Sequence, residues 1–472
     1  MPVHTLLLAA VLAAAAPLLA QVPALTPHQQ LARDIYRELI EINTADSTGS
    51  VTRAAEALAA RFRAAGFPAE DVRIVVREGA PTDGNLIVRY RGRGAGRKPI
   101  LLLAHLDVVA ALRSDWSLDP FVLTEKDGYF YGRGTSDDKA MAAIFVANLL
   151  RARAEGWVPD RDLLLALTAD EENGGDNGVA WLVNEHRDLL DAELAINEGG
   201  SGALRGGKYF YHSVQAAEKI YADFSLTVTN RGGHSSQPRP DNAIVRLSEG
   251  LARLGEHAFP VRLNPVTRAY FEEMARLEEP GTAAAMRAIL RNERDAAAAR
   301  KLSATPRFNA TLRTTCTPTQ VSGGHAPNAL PQLVTATVNC RILPGETVEE
   351  IQAALGRIVA DTAIRIALLP ANEPSPPPGP SALVPAVMGP IGEVTREMFG
   401  VPVVPFMSTG ATDGRFLRSA GIPTYGVSGL FGDPNDVRAH GRDERMLVKS
   451  FYEGLEFLDR LVRGMAGGGA GG

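Results

Sequence analysis

The amino-acid sequence predicts an α/β fold with a smaller α+β domain inserted into it. Helical and buried-strand segments alternate over residues 28–217 and again over residues 373–466, whereas residues 218–372 follow the order βαββαβ. The proline-rich segment ANEPSPPPGPS separates the inserted region from the second part of the main domain and is predicted to be a linker. We therefore expect one main domain that is built from two stretches of chain.

The main domain begins with two segments of helical spacing, LARDIYRELIEI and VTRAAEALAARFRAAG. The segments NLIVRYRG and KPILLLAHLD then have the apolar runs of buried strands. A long apolar helix, KAMAAIFVANLLRARAEG, precedes two more strands, DLLLALTAD and AELAINEG, and after the linker VPAVMGPIGEVTREMFG and GIPTYGVSGL resume the pattern. This alternation predicts a largely parallel sheet.

The inserted domain begins with KIYADFSLTVTN, which alternates like a half-exposed strand, and with the amphipathic helix DNAIVRLSEGLARLGEH. Residues 311–321 and 333–343 are predicted strands, and they are followed by the helix TVEEIQAALGRIV and the strand AIRIALLP. The βαββαβ order requires that a helical stretch from about Pro265 to Thr305 be set aside as an insertion within this domain.

Composition places the chain among ordinary globular proteins. It has 472 residues, of which 45% are hydrophobic and 22% charged, and 49 basic against 54 acidic residues give a net charge of −5. We find no block of Lys and Arg that would follow a phosphate backbone, so nucleic acid is excluded as the expected partner.

The first residues, MPVHTLLLAAVLAAAAPLLAQ, resemble a secretory signal peptide covering residues 1–20. We therefore expect an exported protein, periplasmic or secreted, with no membrane association after cleavage. An uncleaved anchor is the alternative, although the apolar run is shorter than the ~20 residues that span a bilayer.

Export bears on the two cysteines, because disulfides persist outside the cytoplasm. Cys316 and Cys340 lie on predicted strands at equal distances from Asn328, as they would across an antiparallel pair. A disulfide and two separately buried small side chains remain alternatives.

Acidic and histidine side chains follow the predicted strands of the main domain at the points where the strands end. In open α/β sheets, ligands bind beyond these carboxyl ends. Several carboxylates in one crevice cannot all stay ionised without compensation, and carboxylates with imidazoles form a ligand set that suits Zn²⁺, Co²⁺ or Mn²⁺. The residues at strand ends are His105, Asp107, Asp170, Glu171, Glu172, Glu198 and His440, and Asp137 and Asp138 join them from a Gly-rich loop just before a helix.

Short motifs carry a family resemblance across nearly the whole chain, from about Pro27 to Leu461. In order and spacing they resemble the dinuclear zinc amidohydrolases of metallopeptidase family twenty, which include glutamate carboxypeptidase, carboxypeptidase S, aminoacylase and succinyl-diaminopimelate desuccinylase. The resemblance implies a zinc-exopeptidase-like catalytic domain with an inserted lid or dimerisation domain. The motifs are HLDVV, GRGTSDDK, TADEENGG, NEGG, RGGHSS, GGHAPNALP, NCRILPG, STGATDGRF and AHGRDE.

The resemblance implies two zinc ions per chain, replaceable by Co²⁺ or Mn²⁺. His105 and Glu198 would bind one ion, Glu172 and His440 the other, and Asp137 would bridge both. A cis peptide bond is expected between Asp137 and Asp138.

The same resemblance assigns roles around the metals. Asp107 would accept a hydrogen bond from His105, and Glu171 would be the general base. His234 would stabilise the oxyanion, in the family often from the partner subunit of a homodimer formed through the inserted domain. The substrate would be bound by Asn328, Arg341, Gly410 and Thr412.

These roles imply hydrolysis of an amide bond in short peptides with release of a free amino acid, as in carboxypeptidases and dipeptidases. A deacylase of N-acyl amino acids is the alternative enzyme, because it needs the same chemistry. An inactive ligand-binding relative is the remote alternative, but it would be expected to lack a ligand or the base. Taken singly, His105 could be a core histidine and Arg341 a solvated surface residue, so the inference depends on the joint pattern.

Overall fold

The computed structural model describes residues 24–94, 96–173, 175, 177–369 and 378–470. The predicted signal peptide, residues 1–20, lies outside the described residues, and so does most of the predicted proline-rich linker. In the described part of the chain, no helix combines the length and the hydropathy needed to cross a bilayer.

The α-helices and β-strands are numbered in chain order. The helices are α1 Pro27–Glu41, α2 Val51–Ala64, α3 Lys139–Ala154, α4 Gly178–Glu185, α5 Ala243–Glu256, α6 Pro265–Leu277, α7 Pro280–Arg291, α8 Ala296–Ser303, α9 Pro306–Leu312, α10 Val348–Val359, α11 Pro385–Phe399, α12 Gly414–Ser419 and α13 Val448–Ala466. The strands are β1 Val72–Val75, β2 Asn85–Tyr90, β3 Ile100–His105, β4 Thr124–Lys126, β5 Tyr129–Tyr131, β6 Trp157–Val158, β7 Leu163–Thr168, β8 Leu194–Asn197, β9 Gly202–Arg205, β10 Lys208–Glu218, β11 Ile220–Thr229, β12 Gly233–His234, β13 Thr315–Gly323, β14 Ala329–Leu330, β15 Leu333–Ile342, β16 Ile364–Leu368, β17 Val403–Ser408, β18 Thr424–Gly426, β19 Phe431–Gly432, β20 Arg445–Leu447 and β21 Gly469–Ala470.

Within the described residues, ten strands form a large mixed sheet in the order β1-β2-β7-β3-β8-β18-β10-β9-β19, with β17 also paired to β10. The central strands β7, β3, β8 and β18 are parallel. Antiparallel pairs join β1 to β2, β2 to β7, β18 to β10 and β10 to β9. Strand β17 also runs parallel to β10, and β19 runs parallel to β9. The sheet is therefore mixed, because the β1–β2 and β9–β10 connections are too short for a crossover helix.

Helices cover both faces of the large sheet. On one face α3 lies between β3 and the helices α1 and α13, and it is buried over nearly its whole length. On the other face, side chains of α4 and α12 pack against Leu101 and Leu103 of β3. All six residues of β3 are therefore buried, which accounts for its continuous apolar sequence.

The inserted region forms a four-stranded antiparallel sheet in the order β13-β15-β11-β16. Helices α5 and α10 pack on one of its faces, and every second residue of β11 is buried there. The predicted βαββαβ order of elements is confirmed. Cys316 and Cys340 are opposite each other on β13 and β15 and are joined by a disulfide, so the first of the two alternatives for the cysteines is the one observed.

Helices α6 to α8 lie in the predicted helical stretch from about Pro265 to Thr305, and α9 follows directly after it. The sequence analysis grouped them with the inserted domain, but Tyr270 and Phe271 of α6 pack with Tyr211 of β10 and Val404 of β17. These helices therefore extend the hydrophobic core of the large sheet. Their amphipathic pattern predicts that one face is buried, and it does not specify the surface that buries it.

Candidate active site

The predicted acidic and histidine side chains meet at one edge of the large sheet. Strands β7, β3 and β8 lie side by side and run in the same direction. Strand β3 ends at His105, Glu171 and Glu172 follow β7, and Glu198 follows β8. Parallel strands present their carboxyl ends at the same edge, and this brings the four side chains together.

Asp137 lies at the centre of the cluster. Its Oδ1 is 2.9 Å from Nε2 of His105, and its Oδ2 is 3.1 Å from Nε2 of His440. The same nitrogen of His440 is 2.8 Å from Oε2 of Glu172. Two sets of ligand atoms, each within 4.8 Å of one another, therefore share Asp137, namely His105, Asp137 and Glu198, and Asp137, Glu172 and His440.

The donor chemistry of these two sets fits two metal ions. Three carboxylates and two imidazoles are oxygen and nitrogen ligands of the kind that Zn²⁺ takes in catalytic sites. Burial, followed by the charge of Asp137, raises the pKa of Glu198 well above its usual range. Hydrogen bonds to Asp137 and Glu172 raise the pKa of His440 to about 10. This concentration of negative charge requires cations, and metal ions would supply them.

Asp107 supports the cluster in a way that differs from the prediction. The nearest acceptor for Nδ1 of His105 is the backbone carbonyl of Asp107, at 3.1 Å, while a carboxylate oxygen of Asp107 lies 3.5 Å away. The carboxylate also accepts a hydrogen bond of 3.0 Å from the backbone N–H of Glu172. Asp107 thus orients the histidine of one set and the glutamate of the other. The expected cis peptide bond between Asp137 and Asp138 is confirmed.

Glu444 is a supporting residue that the sequence analysis did not identify. Its fully buried carboxylate accepts hydrogen bonds from the backbone N–H groups of Gly134, Ser136 and Asp137, and from Oγ of Ser136. Arg133 donates a fifth hydrogen bond, of 2.7 Å. The carboxylate therefore holds the loop that carries Asp137 and lies four residues after His440. Glu444 belongs to the motif AHGRDE, but a charged segment of this kind is typical of a solvated loop, so the local sequence does not indicate its buried contacts.

Glu171 lies beside the two sets without belonging to either. Its side chain is partly exposed. Desolvation, with added repulsion from Asp413, Glu172 and Asp137, raises the pKa of Glu171 well above its usual range. A carboxylate whose proton affinity is increased in this way suits general acid–base work.

The loop between β17 and α12 is anchored beneath the cluster. Asp413 accepts hydrogen bonds from Thr168, at the end of β7, and from Asn177. Both the backbone N–H and the hydroxyl of Thr412 donate to Oε2 of Glu218, at 2.5 and 3.1 Å. Thr412 therefore supports the loop, and its contact with substrate stays a prediction.

Glu218 fixes this loop at the junction between the two sheets. It also forms a buried ion pair with Arg418 of α12, and it ends β10 two residues before β11 begins. Gly410, the other residue of the loop that was expected to bind substrate, donates its N–H to Oγ of Ser408 and is partly exposed.

Arg341 lies at the end of β15 that is closest to this junction. It pairs in register with Tyr221, its guanidinium lies 4.5 Å from the centroid of the Tyr221 ring, and its Nε donates to Oδ1 of Asn339 at 3.2 Å. Asn339 is held in turn by a hydrogen bond to Asp223. The side chain is thus oriented by neighbours on two strands.

His234 and Asn328 lie together at the opposite end of the inserted sheet. The N–H of Ser235 donates to the carbonyl of Asn328, and His234 pairs with Ala329 in the β12–β14 ribbon. This ribbon follows the end of β11 at Thr229 and precedes the start of β15 at Leu333. Eight residues of strand, about 26 Å, separate Leu333 from Arg341.

Asn328 and Arg341, which the resemblance assigns to one substrate-binding set, therefore lie far apart within one chain. The GGHAPNALP and NCRILPG motifs are close in sequence, but an extended strand separates them in space. In the described residues, the side-chain contacts of His234 are with Ser236, and none is with a member of the metal-ligand sets.

Comparison with known proteins agrees with the geometry. The model of peptidase family M20/M25/M40 matches residues 101–464. This chain belongs to that family. The M20 family is metal-dependent, typically with two ions, and its members are hydrolases that act on amide bonds. This chain is therefore a hydrolase of amide bonds.

Two relatives illustrate the range of the M20 family. The probable carboxypeptidase S-like 2 of Dictyostelium discoideum is 29% identical over 390 residues, which cover 80% of this chain and 74% of that protein. The human N-fatty-acyl-amino acid synthase/hydrolase PM20D1 is 29% identical over 385 residues, which cover 79% and 75%.

A solved structure supports the fold of this M20 chain. The M20 family metallo-carboxypeptidase Sso-CP2 of Sulfolobus solfataricus superposes with a TM-score of 0.68 at 16% identity, covering 92% of this chain and 98% of that one. M20 structures combine a catalytic domain with an inserted dimerisation domain, and the large and small sheets described above correspond to this architecture.

Proposed function

We propose that this chain hydrolyses an amide bond next to a free carboxylate, using two zinc ions, and releases a free amino acid from short peptides. The observation that supports the proposal most is the position of Asp137, whose two oxygens each face a different histidine. His105 and Glu198 would hold one ion, Glu172 and His440 the other, and Asp137 both.

When bound, such ions lower the pKa of water and polarise a carbonyl. Glu171 would accept the proton of the attacking water and then donate it to the leaving amine nitrogen. Its raised proton affinity suits the first step, because a stronger base accepts the proton more readily. Asp107 would keep His105 in the tautomer whose Nε2 faces the metal.

The free carboxylate would be bound by Arg341. Its Nε donates a hydrogen bond to Asn339, and the face of its guanidinium lies over the ring of Tyr221. The terminal nitrogens of the guanidinium are therefore the donors left for a substrate. A guanidinium binds a carboxylate through two parallel hydrogen bonds. Arg341 therefore favours exopeptidase or deacylase substrates over internal peptide bonds.

A deacylase of N-acyl amino acids is the second candidate. Its products also include a free amino acid, and one relative is named as an N-fatty-acyl-amino acid synthase/hydrolase. The two candidates differ in what lies on the amine side of the scissile bond, where the structure offers no observation that separates them.

We further propose that His234 and Asn328 act from the partner subunit of a homodimer. Their separation of about 26 Å of strand from Arg341 supports this, because one small substrate cannot reach both places in one chain. Mixing Glu171→Gln with His234→Ala protein tests it, under conditions in which labelled subunits are shown to exchange. Recovery of activity is expected, and none after exchange would assign His234 to its own chain.

Export through the predicted signal peptide, residues 1–20, is also a proposal. Fractionation of expressing cells, with mass determination of the mature N-terminus, tests it. Material that retains Met1 and stays with the cytoplasm would contradict export, and membrane-bound material with an intact N-terminus would indicate the anchor.

The function is tested with a panel of dipeptides, N-acyl amino acids and C-amidated dipeptides. Activity should disappear on chelation and return with Zn²⁺ or Co²⁺, and free carboxylates should be required. Preference for N-acyl amino acids would select the deacylase. Equal rates on amidated dipeptides would refute the carboxylate requirement, and full activity in metal-free protein would refute the metal mechanism.

A further inference from the structure

Arg415 is a second arginine near the proposed carboxylate-binding residue. It lies in the first turn of α12, two residues after Asp413, whose carboxylate bonds to the end of β7. Strand β7 also leads to Glu171, and Thr168 at its end is the register partner of His105. The backbone of Arg415 is therefore fixed close to the predicted metal site.

The side chain of Arg415 is half-buried, and it forms no ion pair with a carboxylate of the described residues. Its guanidinium lies 4.4 Å from the centroid of the Phe416 ring, and its Nε is buried without a hydrogen-bond acceptor among the described residues. A buried unpaired donor of this charge is costly unless a ligand satisfies it. The neighbouring carboxylates of Asp413 and Glu218 are occupied by Thr168, Asn177, Thr412 and Arg418.

Arg341 faces the same junction from the inserted domain. Its register partner Tyr221 lies three residues after Glu218, and Glu218 holds Thr412 on the loop that leads to Arg415. No carboxylate of the described residues forms an ion pair with Arg341 or with Arg415. The two guanidinium groups thus lie on the two sides of the junction between the two sheets, and neither is paired with a described carboxylate.

The charges around this junction agree with the presence of two unpaired guanidinium groups. Burial lowers the pKa of Arg341, and the positive charge of Arg415 contributes in the same direction. Tyr221 and Asp223 oppose this decrease. Burial and the charge of Arg341 also lower the pKa of Lys219, to about 7, and its ammonium donates to the carbonyl of Arg313. The junction therefore repels further cations and favours a bound anion.

We propose that Arg415 is a second carboxylate-binding residue, which together with Arg341 holds the carboxylate of the substrate between the catalytic and the inserted domain. This rests on the proposed amide hydrolase that requires a free carboxylate. One anion would then satisfy the unpaired Nε of Arg415, relieve the repulsion between the two guanidinium groups and draw the two domains together on the substrate.

The test compares Arg415→Gln, Arg415→Lys and Arg341→Gln with the unchanged protein, on one dipeptide with a free C-terminus and on its C-terminal amide. Arg415→Gln should raise KM for the free dipeptide by about 10- to 100-fold, the loss expected for a hydrogen bond to a charged group, with little change for the amide. Arg415→Lys should lie between, because an ammonium cannot bind bidentately. Replacement of Arg294, an exposed arginine in the turn between α7 and α8, by glutamine should leave the behaviour of the protein unchanged.

Competitive inhibition by the product amino acid and by its amide provides a readout of binding that does not depend on substrate turnover. Arg415→Gln should weaken inhibition by the amino acid alone, and the double variant with Arg341→Gln should lose less than the sum of the single losses. The proposal is overturned if Arg415→Gln discriminates free from amidated ligands as the unchanged protein does, or weakens both equally. If the unchanged protein itself does not discriminate, the proposed function has failed instead.

Discussion

Replacement of Glu444 by glutamine tests whether the loop that carries Asp137 is positioned by this single buried carboxylate. Glu444→Gln keeps the shape of the side chain but exchanges one acceptor oxygen for an NH₂ group. That group would face either Arg133 and Gly134, which now donate to Oε2, or Ser136 and Asp137, which donate to Oε1. At least two donors would then lack an acceptor.

The magnitude follows from those contacts. Hydrogen bonds to a charged group contribute about 1.5–3 kcal/mol each, so losing two costs roughly 3–6 kcal/mol. The buried guanidinium of Arg133 would also lose its counter-charge, since its side chain is 3% exposed. Part of this cost will appear as lower stability and part as displacement of Asp137. We expect metal affinity to fall by about 10- to 100-fold, as for other residues that orient metal ligands.

The assay is zinc affinity measured by competition with a chelator, together with the free energy of unfolding of the metal-free protein. Glu155→Gln is the matched control, because Glu155 also bonds two arginines but its side chain is 41% exposed. That control should change little. Unchanged zinc affinity and stability in Glu444→Gln would refute the positioning role.

Three further predictions concern the proposed general base, a buried histidine and the buried ion pair at the junction between the two sheets. Glu171→Gln should retain metal but lower turnover by at least ~100-fold, whereas Glu172→Gln should lose metal. Burial lowers the pKa of His212 from 6.5 to about 3. The imidazole of His212 therefore binds a proton below about pH 6.5 in the unfolded chain, but only below about pH 3 in the folded protein. The free energy of unfolding should consequently be about 2 kcal/mol lower at pH 5 than at neutral pH. His212→Gln should show a smaller loss of stability between neutral pH and pH 5. Glu218→Gln should destabilise the fold by about 3–5 kcal/mol, because Arg418 would be left buried and unpaired.

Each of these has an outcome that would contradict it. Equal zinc loss in the two glutamate variants would show that their roles are misassigned. Parallel pH profiles of unfolding in His212→Gln and the unchanged protein would exclude His212 as the source of acid sensitivity. The control for Glu218→Gln is Glu397→Gln, which removes the charge of an exposed glutamate that lies 3.9 Å from Arg460. A loss of stability in Glu218→Gln no larger than in that control would show that the buried pair contributes little.

The candidate metal site could be inferred from the sequence because the relevant information is local. An apolar run that ends in His105 is a buried strand whose carboxyl end carries a polar side chain, and parallel strands bring such ends to one edge. The same argument placed Glu172 and Glu198 beside it, and the structure brings all three side chains to that edge. The order of elements in the inserted domain was likewise predicted from alternation and helical spacing, and it is confirmed.

Other features depend on which surfaces meet, and only the tertiary structure decides them. Glu444 lies more than three hundred positions from Arg133, so its five hydrogen bonds have no trace in local sequence. Asn328 and Arg341 are close in sequence, yet an extended strand places them at opposite ends of a sheet, and the helices from Pro265 onward pack on the large sheet. Periodicity determines that a face is buried, because burial of apolar area is non-directional, whereas the choice of partner depends on the packing of all elements together.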